Sequence, residues 1–153
     1  MMKKIAYEMS YNYAIHEQSS ISCEPFDKQF FQEYMRIYNE CFYEMRKALD
    51  RKPYNVLESY EQIEKKTHDI YLLIEKGKII GSVSCCNNEI DDLIVNKKYQ
   101  QKGYGKQLLL FGMQQIRRKN NQPIKLHVAE WNQHAFNMYK KVGFEVTRIE
   151  QIR

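Results

Sequence analysis

The run from Leu93 to Lys106 carries two glycines where an apolar, strand-like stretch turns into a helix-like one. Glycine permits a positive φ and lets backbone N–H groups approach a phosphate closely. A helix N-terminus adds unpaired N–H donors and the positive end of the helix dipole, and Lys102 and Lys106 add formal charge beside them. These features favour an anion site, although Gly103 and Gly105 alone are equally typical of an ordinary turn before a helix.

A second segment, residues 128–144, joins the end of a strand to a capped helix. Asn132 is well placed as the N-cap. Four residues then share one helix face by their spacing: Ala135, Phe136, Tyr139 and Val142. On these residues alone, core packing and a functional role for Tyr139 are equally compatible with the pattern.

The elements that must position these residues follow from hydrophobic periodicity. The first 24 residues alternate as extended structure, a long helix is predicted after Asp27, and a shorter one after Pro53, where Asn55 and Glu58 have capping-box spacing. Strands are predicted at 70–75, 78–86, 90–95, 124–128 and after Gly143, and helices at about 105–119 and about 133–141. The order β-α-α-β-β-β-α-β-α-β predicts one mixed sheet with helices on both faces, in a single domain spanning 1–153.

The net charge of +5 is distributed unevenly. Residues 1–92 hold 12 Lys/Arg against 16 Asp/Glu, a balance of −4, whereas residues 93–153 hold 12 against 3, a balance of +9. Such a field favours a polyanionic ligand on the C-terminal half. Nucleic acid and a nucleotide cofactor both satisfy that condition.

Other bulk features exclude several classes of protein. The four cysteines, at 23, 41, 85 and 86, form no CxxC or CxxxC pair, so we expect free thiols and no metal site. No stretch approaches the roughly 18 apolar residues of a membrane span, and Glu8, Ser10 and Asn12 interrupt any signal-peptide core. The expectation is a cytoplasmic protein with no membrane partner.

Taken together, the two segments resemble the signatures of the GNAT superfamily of N-acetyltransferases. The first signature is Arg or Gln, any two residues, Gly, any residue, and Gly or Ala before a helix, which Gln100-Gln101-Lys102-Gly103-Tyr104-Gly105 fits. The second, Asn, Ala and Tyr at fixed spacing followed by Gly-Phe, is matched by Asn132, Ala135, Tyr139, Gly143 and Phe144. The resemblance is strong over residues 70–149. It implies the α+β GNAT fold, with one mixed central sheet of about six strands flanked by about four helices.

The resemblance also implies acetyl-CoA as cosubstrate and assigns its binding residues. The loop that would cradle the CoA pyrophosphate consists of Gln100, Gln101, Lys102, Gly103, Tyr104, Gly105 and Lys106. The backbone of Leu93, Ile94 and Val95 would pair with the pantetheine arm as if it were an added strand. Asn132 would touch the pantetheine, and Tyr139 would lie near the thioester sulfur.

Acetyl transfer to an amine needs a base, a donor for the oxyanion and a proton for the leaving thiolate. By position in the family motifs, Tyr139 is the expected general acid, and an amide near Leu93 or Ile94 is the expected oxyanion donor. The expected acceptor is a primary amine that attacks directly through a tetrahedral intermediate.

For the base, the family often places a carboxylate at the start of the central strand, where this sequence has Glu89, Asp91 and Asp92. Strand alternation predicts that Asp91 and Leu93 face one way and Asp92 the other. Glu89 and Asp92 are therefore candidate bases, although a solvated strand edge explains the same residues.

Three further expectations concern aromatic and histidine side chains. Trp131 is expected to pack over the end of its strand. The tyrosines of the first long helix, Tyr34, Tyr38 and Tyr43, either line the acceptor pocket or pack in the core. The four histidines are scattered and define no site.

Two alternatives to an enzyme stay open. One is a non-catalytic acyl-CoA-binding or sensor domain. The other is a nucleic-acid-binding domain, which is disfavoured because basic and aromatic residues do not interleave, so no nucleic-acid partner is expected. The acidic N-terminal half suits a cationic amine acceptor, either a small molecule or a protein.

One departure from the family concerns the last strands. Family members usually follow Gly-Phe with two antiparallel strands, and the residues after Phe144 leave room for one. Either the N-terminal extended region supplies the missing strand, or a partner chain does, or the edge is open. An open edge invites pairing, so a homodimer is a reasonable hypothesis.

Overall fold

The computed structural model describes residues 4–152, which form one seven-stranded mixed sheet with three α-helices. The strands are β1 Ile5–Tyr11, β2 Glu24–Pro25, β3 Ile70–Glu75, β4 Lys78–Cys86, β5 Glu89–Val95, β6 Ile124–Ala129 and β7 Glu145–Gln151. The helices are α1 Phe31–Ala48, α2 Tyr104–Lys119 and α3 Gln133–Val142. The predicted α+β fold class is confirmed.

The sheet opens between its central strands. The strand order is β2-β3-β4-β5-β6-β1-β7, and β5 with β6 is the parallel pair. Within the described residues, that pair is in register only at Glu89 and Lys125. There the Lys125 N–H donates to the Asn88 carbonyl at 2.9 Å. Beyond this point β5 and β6 separate, and we call the wedge between them the fork.

The N-terminal strand completes the C-terminal half of the sheet. β1 lies between β6 and β7 and is antiparallel to both, with Tyr7 opposite Val128 on one side and Ile149 on the other. Of the three alternatives for the missing strand, the N-terminal region is therefore the one found. β7 becomes the outer strand at this end of the sheet.

Two hydrophobic clusters hold helices on opposite faces of the sheet. The first packs α2 and α3 on the sheet through residues such as Leu108, Leu109, Met113, Ile116, Leu126, Met9 and Tyr139. The second packs α1 on β3, β4 and β5 through residues such as Tyr34, Ile37, Leu72, Ile79 and Ile94. Burying one such aliphatic side chain contributes about 1.5–3 kcal/mol. These clusters fix the two walls of the fork.

The shorter helix predicted after Pro53 is not an α-helix. Asn39 holds the Leu57 backbone from both sides, accepting from its N–H at 3.0 Å and donating to its carbonyl at 2.8 Å. This contact keeps the chain extended at that point. A cap forms further on, where the Gln62 side chain accepts from the Ser59 N–H at 2.9 Å, and the segment continues as 3-10 turns over 60–62 and 64–69.

A bulge interrupts β5 beside the fork. Ser82 is opposite Ile94 and Ser84 is opposite Asp91, so Asp92 and Leu93 together face one residue of β4. Ile90 packs in the cluster under α2, whereas Ile94 packs in the cluster under α1. The prediction that Asp91 and Asp92 face opposite ways is therefore wrong, because the bulge shifts the alternation and leaves both charges close to Tyr34 and Tyr38.

Candidate active site

The loop after β5 exposes backbone N–H groups at the open end of the fork. Gln101 has a φ of 64° and Gly103 a φ of 89°, so two left-handed residues bend the chain just before α2. Gly103 is the N-cap of α2, and no side chain caps the helix there. The first N–H groups of a helix have no partner within the helix. The loop predicted to hold a pyrophosphate therefore offers donors and a helix dipole to an anion.

The side chain of Gln100 braces this loop instead of facing a ligand. Its Nε2 donates to the Val95 carbonyl at 3.0 Å, and the Cys41 thiol approaches the same oxygen at 3.1 Å. Gln100 was predicted to bind the cofactor, and its side-chain amide is already used within the protein. The Val95 carbonyl is likewise occupied.

The edge of β5 that faces the fork carries backbone groups that do not pair with β4, of which the Val95 carbonyl is already occupied. The Asn96 N–H donates to the Ile80 carbonyl of β4 at 2.9 Å. Because backbone groups alternate in direction along a strand, those of Ile94 also point to β4, and those of Leu93 and Val95 point into the fork. Ser82 is opposite Ile94, which agrees with that direction.

On the other wall, Asn132 is the N-cap of α3, as predicted. The Asn132 Oδ1 accepts from the Ala135 N–H at 3.2 Å, which leaves the side-chain NH₂ group available. The Tyr139 ring packs against Phe144 at 6.1 Å between centroids, in the cluster against which Leu93 also packs. Burial raises the pKa of Tyr139 to about 12. Its hydroxyl therefore keeps its proton throughout the physiological range.

The two candidate bases lie in different surroundings. Glu89 is at the closed end of the fork, where its Oε1 is 2.9 Å from the His127 Nδ1. Asp92 lies further along β5, beside Tyr38 of α1. Burial, and then the charge of Asp91, raise the pKa of Asp92 to about 6. The site therefore has one solvent-facing carboxylate, Glu89, and one largely buried carboxylate, Asp92.

Sequence reasoning missed His127. It lies on β6, where Ile124, Leu126 and Val128 face the core and the residues between them face the other side of the sheet. That alternation places Lys125 and His127 on one polar face. The signal was present, but the contact with Glu89 depends on the parallel register of β5 and β6, which the sequence does not specify.

The remaining aromatic expectations have mixed outcomes. Trp131 was expected to pack over the end of its strand. It lies instead in the turn before α3, where 47% of its surface is exposed. Tyr34 is buried in the core, Tyr38 is half-buried beside Asp92, and Tyr43 packs against Tyr54 at 5.8 Å between ring centroids. Tyr38 is therefore the one of the three that lies close to a candidate base.

Solved structures share this fold. A GNAT-family acetyltransferase from Colwellia psychrerythraea aligns with a TM-score of 0.72 and 15% identity over 97% of this chain and 55% of that one. A protein from Pyrococcus horikoshii aligns with a TM-score of 0.68 and 23% identity over 88% of this chain and 99% of that one. The chain spans 50–62% of the length of four structures, including the Colwellia one, that cover nearly all of it.

A third structure, from Bacillus anthracis, is a complex with acetyl coenzyme A. It shares 32% identity over 48% of this chain and 45% of that one, with a TM-score of 0.45. Acetyl-CoA is thus a ligand of that protein. No curated protein matches the sequence significantly.

The family model of the acetyltransferase (GNAT) family matches residues 31–144, well over half of the chain. The chain belongs to the GNAT acetyltransferase family. Among residues 4–152, no helix combines the length and the apolar character needed to cross a membrane.

Proposed function

We propose that the chain is an N-acetyltransferase that transfers the acetyl group of acetyl-CoA to a primary amine by direct attack. The observation that carries the proposal is the fork, whose β5 edge leads through the loop of residues 96–103 to the uncapped N-terminus of α2. An extended amide-containing arm ending in a pyrophosphate fits that combination, because the edge pairs with amides and the loop binds phosphates.

The predicted cofactor residues divide into three roles in this proposal. The amides of residues 101–106 hold the pyrophosphate, and Lys102 and Lys106 supply charge. The Leu93 and Val95 backbone pairs with the pantetheine arm, since their N–H groups point into the fork. Asn132 contributes its side-chain NH₂ group from the opposite wall, because its oxygen is engaged as the helix cap.

The oxyanion donor in the proposal is the Leu93 N–H. Ile94 was the other predicted donor, but the alternation of backbone groups turns its N–H toward β4. A backbone donor held in place by the strand around it needs no reorganisation when the carbonyl oxygen gains charge, which is the source of its catalytic effect. Asp92, one of the two candidate bases, directly precedes Leu93 in the β5 bulge.

Tyr139 is the proposed acid. As the C–S bond breaks, its hydroxyl gives a proton to the leaving thiolate. The raised pKa keeps the hydroxyl protonated before each turnover. Glu89 and Asp92 are the proposed carboxylates of the base side, which takes a proton from the attacking amine.

Direct attack is supported by the state of the cysteines. Cys41 is the cysteine in contact with β5 beside the fork. Burial raises the pKa of Cys41 to about 11, so it is not the thiolate that an acetyl-cysteine intermediate requires. Cys23, Cys85 and Cys86 also have raised pKa values, with burial as the main cause.

The proposed acceptor is a cationic amine. Asp91 and Asp92 lie together on the α1 side of β5, and Glu89 lies at the closed end of the fork. These carboxylates favour an ammonium group over a neutral or anionic acceptor. Small molecules and protein lysines both satisfy this condition.

The test of the proposed function is a thermal melt with and without acetyl-CoA, at moderate and high salt, followed by an amine screen that detects free thiol. A melting temperature that rises with acetyl-CoA at both salt concentrations supports cofactor binding. Thiol release that depends on an amine supports the enzyme. Binding without thiol release would favour a sensor domain, and a shift that any polyanion reproduces would favour nucleic-acid binding.

A further inference from the structure

The chain between β1 and β2 crosses the face of the sheet that carries α2. These two strands lie near opposite ends of the strand order, so residues 12–23, which we call the strap, span the sheet. The Ser19 hydroxyl donates to the Gln107 carbonyl of α2 at 2.9 Å. Further along the helix, the Gln114 Nε2 donates to the Gln18 Oε1 at 2.7 Å. The strap is therefore fastened to α2 at two levels.

A cavity of about 650 Å³ lies where the start of the strap meets the last two turns of α2. Small-molecule sites have volumes of about 300–1,000 Å³. The helix residues that line it are spaced i, i+3 and i+4 and so share one face; they are Gln114, Arg117 and Arg118. The strap contributes Tyr13 and Gln18 to the lining. The cavity thus has one wall that carries two guanidinium groups.

The charge around this cavity is positive. Among residues 4–152, those that line it include no acid, and residues 93–129 contain no Asp or Glu. The one carboxylate of the strap is Glu17, whose Oε2 is 2.9 Å from the Lys106 Nζ. In the described part of the chain, neither Arg117 nor Arg118 forms an ion pair. Both arginines therefore keep their charge available for a ligand.

The end of the helix accounts for part of this charge but not for the cavity. Basic residues in the last turn of a helix interact favourably with its dipole, and the Arg117 Nη1 donates to the Gln122 carbonyl at 2.6 Å. A guanidinium has five N–H donors, so this bond leaves most of them available. Stabilisation of a helix end needs no second segment opposite the arginines, whereas here the strap encloses them.

The lining favours a phosphate that carries further polar groups. Guanidinium groups bind phosphate through paired N–H donors. The carboxamides of Asn12, Gln18 and Asn121 can donate to hydroxyl groups and accept from them. The Tyr13 hydroxyl donates to Glu145 at 3.0 Å, which fixes the ring, and 54% of the Tyr13 surface is exposed. An exposed aromatic ring offers a surface on which a base or a sugar packs.

The cavity is separate from the loop that would hold the CoA pyrophosphate. Gly105 lies in the first turn of α2, and Arg118 follows thirteen residues later in the last turn. At about 1.5 Å per residue, the separation along the helix is about 20 Å. A phosphate bound by the two arginines is therefore not part of the pyrophosphate at the other end of α2.

We propose that this cavity is a second binding site, for a small phosphomonoester of the nucleoside monophosphate or sugar phosphate kind. Arg117 and Arg118 bind the phosphate, the carboxamides bind hydroxyl groups, and the Tyr13 ring packs against the rest of the ligand. The inference does not rest on the proposed acetyltransferase function, because it uses none of the residues assigned to acetyl-CoA.

The test is a calorimetric titration of the protein with adenosine monophosphate, glucose 6-phosphate and inorganic phosphate, with and without saturating acetyl-CoA. We expect saturable binding of at least one phosphomonoester, tighter than that of inorganic phosphate and unchanged by acetyl-CoA. The phosphomonoester that binds more tightly identifies the site as one for a nucleotide or for a sugar phosphate. Binding of neither, or binding that saturating acetyl-CoA abolishes, would overturn the inference. A protein that binds a phosphomonoester but not acetyl-CoA would remove the proposed function and keep this inference.

Three variants of exposed residues locate the site. Arg118→Gln should weaken binding about 10-fold, because it removes charge-assisted hydrogen bonds to the phosphate. Asn121→Asp keeps the shape of the side chain and adds a negative charge, so it should weaken binding as well. Lys119→Gln is the matched control, since it removes one charge from the same helix turn outside the cavity lining. Its Kd should stay within about two-fold of wild type.

The same control separates a built site from a general attraction of α2 for polyanions. If Lys119→Gln and Arg118→Gln weaken binding equally, the charge of the helix and not the cavity is responsible, and the inference is overturned. Binding of a short DNA duplex without binding of either phosphomonoester would overturn it in favour of nucleic acid. The melting temperatures of all three variants, measured without ligand, should equal that of wild type.

Discussion

At the scale of single residues, Asp92 is a carboxylate held where its charge opposes folding. Its folded pKa of about 6 lies above the ordinary aspartate value. The ionised form is therefore favoured in the unfolded chain, and the free-energy cost of folding grows as the pH rises above about 4 and is complete above the folded pKa. Costs of this kind concentrate at functional sites.

The corresponding prediction is that Asp92→Asn stabilises the protein at neutral pH. Stability that the raised pKa contributes is fully present below about pH 4 and is lost as the pH rises through about 6. The variant should therefore gain about 1–3 kcal/mol of unfolding free energy at pH 7.5 and nothing near pH 4. Urea unfolding at both pH values measures the difference.

Asp91→Asn is the matched control, because Asp91 is exposed and only adds to the shift at Asp92. Its gain should have the same sign and be smaller. An Asp92→Asn variant with the same unfolding free energy as wild type at both pH values would contradict the raised pKa of Asp92.

The variant Tyr139→Phe tests the proposal that Tyr139 is the general acid for the leaving thiolate. The change removes one hydroxyl and keeps the ring against Phe144, so the fold and the acetyl-CoA shift should persist while kcat falls about 10²-fold. Tyr11→Phe is the control, since Tyr11 contacts the same Phe144 ring at 5.5 Å and its hydroxyl donates to the Ala14 carbonyl. Unchanged kcat in Tyr139→Phe would return this tyrosine to core packing.

The residue roles that could be predicted from the sequence are those that depend on partners close in the chain. Asn132 caps a helix three residues away, and local spacing reveals it. The contact of His127 with Glu89 joins residues 38 apart in sequence, and no periodicity encodes it. Gln100 was expected to face the ligand, yet it donates to a carbonyl five residues earlier.

At the scale of elements, the turn into α2 depends on one glycine more than on the other. Gly103 has a φ of 89°, and nothing lies within 4 Å of an added Cβ, so only the backbone conformation opposes a side chain. Gly105 has an ordinary φ, and its added Cβ would make normal contact with the Met138 sulfur at 3.5 Å.

Gly103→Ala should therefore disturb the loop at a cost of about 1–2 kcal/mol and weaken the acetyl-CoA shift of the melting temperature. Gly105→Ala should retain most of that shift. Calorimetric titration of both variants with acetyl-CoA gives the ratio of their affinities. Equal loss in the two would mean that side-chain volume, not the left-handed conformation, limits the loop.

Most elements were predictable, because hairpins and amphipathic helices leave strong periodic signals. The β3–β4 hairpin, α2 and α3 lie where the pattern indicates. The bulge in β5 was not foreseen, since it depends on how β4 pairs with it and both faces of β5 are partly buried. The absence of an α-helix after Pro53 follows from the side chain of Asn39, which lies far from that segment in sequence.

At the scale of the whole molecule, β7 is an edge strand with apolar side chains in solvent. Val146 and Ile149 are 40% and 66% exposed. Exposed edges with apolar residues favour pairing with another chain. The hypothesis of a homodimer therefore stays a prediction, now located at β7.

Light scattering over a range of concentrations should give a dimeric mass that increases in population with concentration. Ile149→Lys places a charge on the edge and should shift the protein to monomer, with a melting temperature that no longer depends on protein concentration. Ser20→Lys, an exposed change away from β7, serves as the control. A monomeric mass at high concentration would remove the hypothesis.

The position of β1 has a consequence for how a new chain reaches its native state. β1 is synthesised before the other strands of this sheet, but both of its partners, β6 and β7, begin more than a hundred residues later. Met9 and Tyr11 are buried in the folded protein, but they have no strand partners until β6 and β7 have been synthesised. Contacts of such long sequence separation are slow to form. The half of the fork that carries His127 is thus completed only after β7 has been made, so a chain that lacks β7 cannot complete this half of the sheet.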